Sequence, residues 1–272
     1  MTRLAIVIVS YNARVHLERC LESLHAAPPA VAHEIVVVDN ASTDGSVAAV
    51  RAAWPGVRVI EQTENRGFAA GNNAGIRATA GELVLLLNND TIVPPGAVDR
   101  LVGRLDAQPA AAVAGPRLVD AGGVAELSFG RMISPFGELR QKTLVALHGR
   151  RLTAVVDWVE RATSREQYAD WVSGACLLVR REAAERAGLL DERYFLYTED
   201  VDFCAAIRAQ GGRVLFTPAA EVVHLRGRSR ATAPAAMNNA YRRSHLAFYE
   251  KHHPGWAPLL RLYLRLKKQL PR

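Results

Sequence analysis

LVLLLNND, residues Leu83–Asp90, is an unbroken run of large apolar residues that stops abruptly at Asn88, Asn89 and Asp90. A strand without polar alternation is covered on both faces, as in the middle of a parallel sheet with helices on either side. Polar residues at the carboxyl end of such a strand lie where open α/β sheets bind ligands. Asn-Asn-Asp is also ordinary turn chemistry, so the stretch acquires a function only through its neighbours.

Upstream, Leu4–Val9 is another buried-type strand, ending at Ser10-Tyr11-Asn12. Leu17, Cys20, Leu21 and Leu24 then recur at i, i+3, i+4 and i+7, which predicts a helix closed by Pro28 and Pro29. Glu34–Val38 predicts a strand that runs into the polar string Asp39 to Ser46, rich in N-cap candidates for a helix through Val47 and Val50. A short strand, Val57–Ile60, leads to Asn65-Arg66-Gly67-Phe68 and a helix near Gly71–Thr79. Downstream, Pro94 and Pro95 open a helix with Val98, Leu101, Val102 and Leu105 on one face. This alternation predicts βαβ units with right-handed crossovers.

Beyond Pro109 the rhythm changes. Ala111–Val119 reads as a strand and residues 120–123 as a turn, whereas 126–165 shows no clean period and no element is predicted there. Trp171–Val179 reads as one strand, followed by a helix over 183–187 that Gly188 ends. Another helix begins within Glu199-Asp200-Val201-Asp202, and Arg213–Phe216 and Glu221–His224 read as two short strands. A helix near Asn239–Lys251 and a basic amphipathic tail finish the chain.

With 272 residues, 49% of them hydrophobic, the chain can bury one substantial core. The formal net charge of +7 admits nucleic acid, anionic lipid or a polyanionic small molecule as partner. Much of the excess lies late, at Arg226, Arg228, Arg230, Arg242, Arg243, Arg261, Arg265, Lys267 and Lys268. Cys20, Cys176 and Cys204 are widely spaced and odd in number, which suits free thiols in a reducing compartment. The apolar run in MTRLAIVIVSYN is too short for a secretory signal and no stretch has the length of a membrane span, so a soluble or peripheral cytoplasmic protein is expected.

Ser10-Tyr11-Asn12, Asp39–Ser46, Asn65–Gly67 and Asn88–Asp90 all follow strands, and sheet geometry gathers such ends into a nucleotide-binding crevice. No GxGxxG follows the first strand and no GxxxxGK[ST] occurs, which disfavours dinucleotide and P-loop chemistry. Without a glycine-rich cradle, a diphosphate needs a metal or basic side chains. Asp90 is the candidate ligand, since Mg²⁺ and Mn²⁺ prefer carboxylate and phosphate oxygen.

SYN, VVVDNASTDGS, NRGFAAGNNAGI, LLLNND, WVSGACLLVRR and FLYTEDVDFCAAIRAQG, taken together and in this order, resemble glycosyltransferase family 2, specifically its rhamnosyltransferase-like branch. The resemblance spans Leu4 to Lys251 and is weakest between Glu126 and Arg165. It implies an α/β, A-type glycosyltransferase fold: a mostly parallel sheet with helices on both faces and a C-terminal helical extension. It also implies inverting transfer from a dTDP- or UDP-sugar to an acceptor hydroxyl, in cell-surface polysaccharide or lipid-linked glycan synthesis. Residues 1–108 would form a nucleotide-sugar half, 109–225 an acceptor half, and 226–272 the extension.

By the same resemblance Asp39 would accept the N3–H of uracil or thymine, with Ser10 and Asn12 bordering base and ribose. Asn65, Arg66 and Gly67 would close the other side, and Gly71 and Asn72 would lie near ribose or phosphates. Asn88, Asn89 and Asp90 stand at the family's DxD-type motif, with Asn88 in place of the first acid, so Mg²⁺ or Mn²⁺ should bind loosely. His224 would complete the metal site. Asp200 matches the general base, with Glu199 and Asp202 orienting it or contacting acceptor. Trp171, Ser173 and Gly174 match the acceptor wall, and Arg226, Arg228, Ser229 and Arg230 would form a loop over the diphosphate.

In the tail, Leu259, Leu262, Tyr263, Leu266 and Leu270 share a side, with Arg261, Arg265 and Lys268 on another. Such a helix can lie on an anionic membrane surface, pack on its own domain, or meet a partner chain in a homo-oligomer. Among other functions, a sugar nucleotidyltransferase would carry a Gly-rich basic loop where this chain has SYNARVHLERC. A nucleic-acid binder is disfavoured, because aromatics do not interleave with the basic run and no helix-turn-helix or zinc spacing stands out. A catalytically silent nucleotide-sugar binder is separated only by an activity assay.

Overall fold

The computed structural model of the chain describes residues 2–225 and 234–271. The first half alternates as the periodicity predicts: β1 (Leu4–Ser10), α1 (Arg14–Ala26), β2 (His33–Asp39), α2 (Ser46–Ala53), β3 (Arg58–Glu61), α3 (Gly67–Arg77) and β4 (Leu83–Asn88). A two-residue β5 (Thr91–Ile92), α4 (Ala97–Asp106) and β6 (Ala111–Val119) follow. Next come β7 (Phe129–Gly130), α5 (Pro135–Gly149), α6 (Thr153–Thr163), β8 (Gln167–Ala169), β9 (Trp171–Val172) and β10 (Cys176–Arg180). The chain then runs through α7 (Arg181–Arg186), α8 (Glu199–Ala209), β11 (Arg213–His224), α9 (Pro234–His252) and α10 (Ala257–Leu266).

Among the described residues nine strands form one sheet in the order β3-β2-β1-β4-β10-β6-β11-β5, with β8 pairing β11. The block β3-β2-β1-β4 is parallel, and β6 and β11 are parallel to each other. β10 runs against both of its neighbours, and β5 and β8 run against β11. The sheet is therefore mixed, with its longest continuous parallel block on the amino-terminal side.

β4 sits in the middle of that order, and its lack of alternation has the expected cause. Leu83, Leu85 and Leu87 point into a core with α1 and α4, while Val84 and Leu86 point into the opposite core with α3 and α8. Its residues are at most 3% exposed from Leu83 to Leu87, so both faces demand apolar side chains. Leu17, Cys20, Leu21 and Leu24 are the buried stripe of α1, as their spacing requires. The three cysteines are buried free thiols, and burial pushes Cys20 up to about 12.

Several expectations need correction. Trp171–Val179 is two strands in two sheets: β9 pairs β7 in a small separate sheet, and β10 enters the main one. The break falls at Ser173-Gly174-Ala175, whose backbone bonds to Ser128 and to Asn88 rather than continuing a ladder. The two short strands over 213–224 are one strand, β11, with an irregularity between Thr217 and Glu221. Residues 126–165 hold β7, α5 and α6 where no element was predicted. Ser134, the N-cap of α5, accepts the Gly137 amide at 3.2 Å and precedes Pro135, a start signal that the patternless surroundings concealed.

Helix α3 begins at Gly67, earlier than the expected Gly71. Gly67 has φ +89°, and a Cβ there would stand 2.2 Å from the carbonyl oxygen of Phe195. The next amide, that of Phe68, donates to this same oxygen at 2.8 Å. Only glycine lets the two backbones meet so closely. Gly67→Ala should therefore cost about 1–2 kcal/mol for the left-handed backbone alone, more with the clash. Urea unfolding measures the loss; an unchanged midpoint would show that the contact with Phe195 is dispensable.

Candidate active site at the end of the central strand

The parallel register puts the ends of β1, β2 and β4 side by side: Ser10 pairs Asp39, and Val9 pairs Asn88. Ser10 accepts from Asn89 Nδ2 at 3.2 Å, tying the end of β1 to the end of β4. Asp39 is 3% exposed and its Oδ2 accepts the Ser42 amide at 2.8 Å. Asn12 has φ +47°, donates its amide to Ser42 Oγ at 2.9 Å, and receives the Thr43 amide at 2.8 Å. Asp44, expected among the N-cap candidates for α2, accepts the Ser46 amide at the start of α2 at 3.1 Å and the Arg14 amide at the start of α1 at 2.8 Å. These bonds fold the loops after β1 and β2 onto each other as one wall of the crevice.

The opposite wall comes from the start of α3. Asn65 Oδ1 accepts the Gly67 amide at 3.0 Å, and Asn40 Nδ2 donates to the Gly67 carbonyl at 3.0 Å. Arg66 pairs with Glu192 at 3.0 Å on the surface. Asn72 lies deeper than expected, 1% exposed, with Nδ2 bonded to the Phe68 carbonyl one turn back. Gly71 packs on Val9, where a Cβ would stand 2.7 Å from a valine methyl. Gly71 thus lets α3 lie close on β1, while Asn72 bonds within its own helix. Asn73, which the sequence did not single out, locks both backbone groups of Leu190 to α3.

Asp90 and His224 meet because β5 pairs β11 with Thr91 opposite His224. His224 Nε2 lies 3.3 Å from Asp90 Oδ1, and Nδ1 lies 3.3 Å from Glu126 Oε2. Glu126 is 5% exposed and was missed, since it falls in the stretch without a period. Burial opposes ionisation of Asp90, but the hydrogen bond and charge of His224 outweigh it and hold the carboxyl below its usual range. Burial alone would lower His224; the two carboxylates raise it to about 9.

No group of three or more metal-binding side chains occurs among the described residues. The pair Asp90–His224 still fits a divalent ion that takes its remaining ligands from a diphosphate and water, as nucleotide-bound ions commonly do. Glu126 lies on the far side of the imidazole from Asp90, so it orients the ring rather than joining the same ion. A carboxylate on the second nitrogen is the usual support of a ligating histidine.

The second centre is the start of α8. Tyr197 and Thr198 have φ +72° and +65°, consecutive left-handed residues without being glycine, a strained turn of the kind kept where side chains must be aimed. Asp200 Oδ2 accepts the Gly174 amide at 2.8 Å, and Oδ1 accepts the Val201 amide at 2.8 Å. Glu199 is 5% exposed, and its Oε2 has no hydrogen-bond partner among the described residues. Burial, then the charge of Asp200, pushes Glu199 well above the usual carboxylate range; burial also raises Asp200, against its two amide donors. Asp200 has two amide donors to favour its charged form, whereas Glu199 faces burial and the charge of its neighbour.

Gly174 lies next to Ala175, whose carbonyl accepts the Asn88 amide at 2.9 Å. The turn that receives Asp200 is thus fastened to the end of β4. Trp171 is 7% exposed, with its indole donating to the Arg131 carbonyl at 2.8 Å, and a Cβ on Gly130 would stand 2.9 Å from its ring. It braces the end of β7 instead of offering a free ring face. Beside Glu126 and Leu225 a cavity of 460 Å³ opens between Val124, Leu144 and His148. Arg226, Arg228, Ser229 and Arg230 lie outside the described residues.

Residues 5–186 match the family described as Glycosyl transferase family 2. An N-acetylglucosaminyl-diphospho-decaprenol L-rhamnosyltransferase of Mycobacterium tuberculosis is 33% identical over 98% of this chain and 92% of its own length. The O-antigen biosynthesis protein RfbC of Myxococcus xanthus is 30% identical over 82% of this chain, which spans 17% of that protein. Among solved structures, the mannosyltransferase PcManGT from Pyrobaculum calidifontis, in complex with GDP-Man and Mn²⁺, has a TM-score of 0.65 at 22% identity, covering 95% of this chain and 68% of that one. GalNAc-T7 with UDP, GalNAc and Mn²⁺ has a TM-score of 0.61 at 19% identity, covering 82% and 43% respectively. The fold is the A-type glycosyltransferase fold. The chain belongs to glycosyltransferase family 2 and to its rhamnosyltransferase-like branch.

Proposed function

We propose that the chain is an inverting glycosyltransferase. It moves a sugar, rhamnose in the favoured case, from a dTDP- or UDP-sugar to a hydroxyl of a lipid-linked glycan on the cytoplasmic side of a membrane. One observation carries the reading: the Asp90–His224 pair and the Asp200 carboxylate converge on the end of β4. The rhamnosyl donor and lipid-linked acceptor draw support from the 33% identical relative, whose name states both.

In this reading Asp39 accepts the pyrimidine N3–H, flanked by Ser10 and Asn12, while Asn65, Arg66 and Gly67 border the other side of the base. Asn88 and Asn89 offer uncharged hydrogen bonds to ribose. Asp90 and His224 would hold Mn²⁺ or Mg²⁺, which when bound neutralises the charge developing on the departing diphosphate. Asp200 removes the acceptor proton as the acceptor oxygen bonds to C1 and the bond from C1 to the phosphate oxygen breaks on the opposite face. Ser173 and Gly174 border the acceptor, Trp171 braces them, and neutral Glu199 can donate a hydrogen bond to it.

A thermal-shift panel tests the donor assignment. With Mn²⁺ present, dTDP- and UDP-sugars should raise the melting temperature by several degrees when in large excess over Kd, and GDP-sugars should not. Asp39→Asn should abolish the difference. A preference for GDP-sugars would overturn the role of Asp39, and full turnover in excess chelator would overturn that of the metal.

A further inference from the structure

We propose that α10 is a docking surface for an anionic lipid bilayer. The helix is apolar on two opposite faces. Ala257 and Leu264, at 6% and 4% exposure, pack with Leu260 onto the body of the protein. On the other side Leu259, Leu262, Tyr263 and Leu266 are 57%, 52%, 55% and 76% exposed, with Trp256 and Leu270 exposed nearby. An amphipathic helix that merely packed on its own domain would bury this face. Here the domain already holds the helix by the other one.

The charge around the exposed face names the occupant. Arg265, Lys267 and Lys268 are exposed on the same helix and the residues just after it, and Arg261 lies there too, paired with Glu250. A second copy docked through the same face would bring these cations against their equivalents. Anionic headgroups complement the cations while the leucines enter the acyl boundary. Among the described residues no helix is long and apolar enough to cross a membrane, so the contact is a surface one.

The surface is also connected to the chemistry. Arg261 pairs with Glu250 of α9 at 2.6 Å. The same helix clamps Asp202 through Lys251 at 2.9 Å and His252 at 2.6 Å. Asp202 lies on α8, one turn of which carries Asp200. Seating α10 on a bilayer therefore sets the height of Asp200 above it, which suits an acceptor whose lipid stays in the membrane. The inference deepens the lipid-linked acceptor reading, yet its test needs neither donor nor acceptor.

The experiment is flotation of the full chain with phosphatidylcholine vesicles, alone or mixed with phosphatidylglycerol. The chain should float with the anionic vesicles and stay behind with the neutral ones. Leu259→Ser, Leu262→Ser and Leu266→Ser together should lower the bound fraction about tenfold without moving the melting temperature, because these side chains are already in water. Arg265→Gln with Lys267→Gln and Lys268→Gln should weaken binding to the anionic vesicles. Absence of flotation, or flotation equal in the triple serine variant, overturns the proposal. So does a dimer in sedimentation that the serine variant dissolves while no vesicle is bound. A chain that floats but transfers no sugar leaves the docking surface standing and removes the enzymatic reading instead.

Discussion

Asp200→Asn is expected to lower kcat about 10²–10⁴-fold while donor binding in the thermal-shift assay is retained. The carboxylate accepts the Gly174 and Val201 amides, contacts that an asparagine oxygen can keep in part, so the loss should be of proton acceptance rather than of shape. The pH dependence gives an independent check. Because burial raises Asp200, the acid limb of kcat should lie above the ordinary aspartate value near 3.9. The stability sign runs the same way. A carboxyl raised in the folded state favours the fold when protonated, and that contribution is lost as pH rises through its folded value. Removing the charge should leave the melting temperature at neutral pH equal or higher. Near-wild-type turnover in the variant would take Asp200 out of the reaction.

Glu126→Gln should weaken Mn²⁺ binding about 10–100-fold, read directly by electron paramagnetic resonance of the free ion. Glu126 does not face the Asp90 side of His224; it holds the opposite ring nitrogen. Its loss should therefore act on the orientation of the ring and leave the ligand itself in place. Activity should return at high Mn²⁺, a rescue that a purely structural lesion would not allow. His224→Ala should remove that rescue. Equal Mn²⁺ affinity in Glu126→Gln and wild type would reduce the acid to a packing role.

Much of the donor side was legible because its elements are local. The run Leu83–Leu87 carries its burial on both faces in its own composition, and the polar ends of β1, β2 and β4 follow from unbroken apolar runs that stop. Helix α8 announced itself by three acids at its start, which complement the helix dipole as well as offering the proposed base. What stayed hidden depends on pairing across long separations. β5 is two residues long and gives no periodic signal, yet it brings His224 to Asp90. Glu126 lies between a turn and a short strand, so no pattern distinguishes it from a solvated acid. Trp171 looked like a sugar platform because its type suits one; only its neighbours Gly130 and Arg131 reveal a buried brace.

The pairing of β5 with β11 carries a consequence for how the chain matures. The two residues of the proposed metal site are brought together by β11, the last strand in sequence, after β1 to β4 have been synthesised. An ion cannot be gripped by both residues until that closing strand has zipped in. At the proposed site, ion binding and the docking of β11 between β6 and β5 would then be linked equilibria, each strengthening the other by the same factor. On the proposed reading, a chain whose β11 frays would lose metal affinity before the parallel strands come apart, so metal affinity would report on completion of the fold.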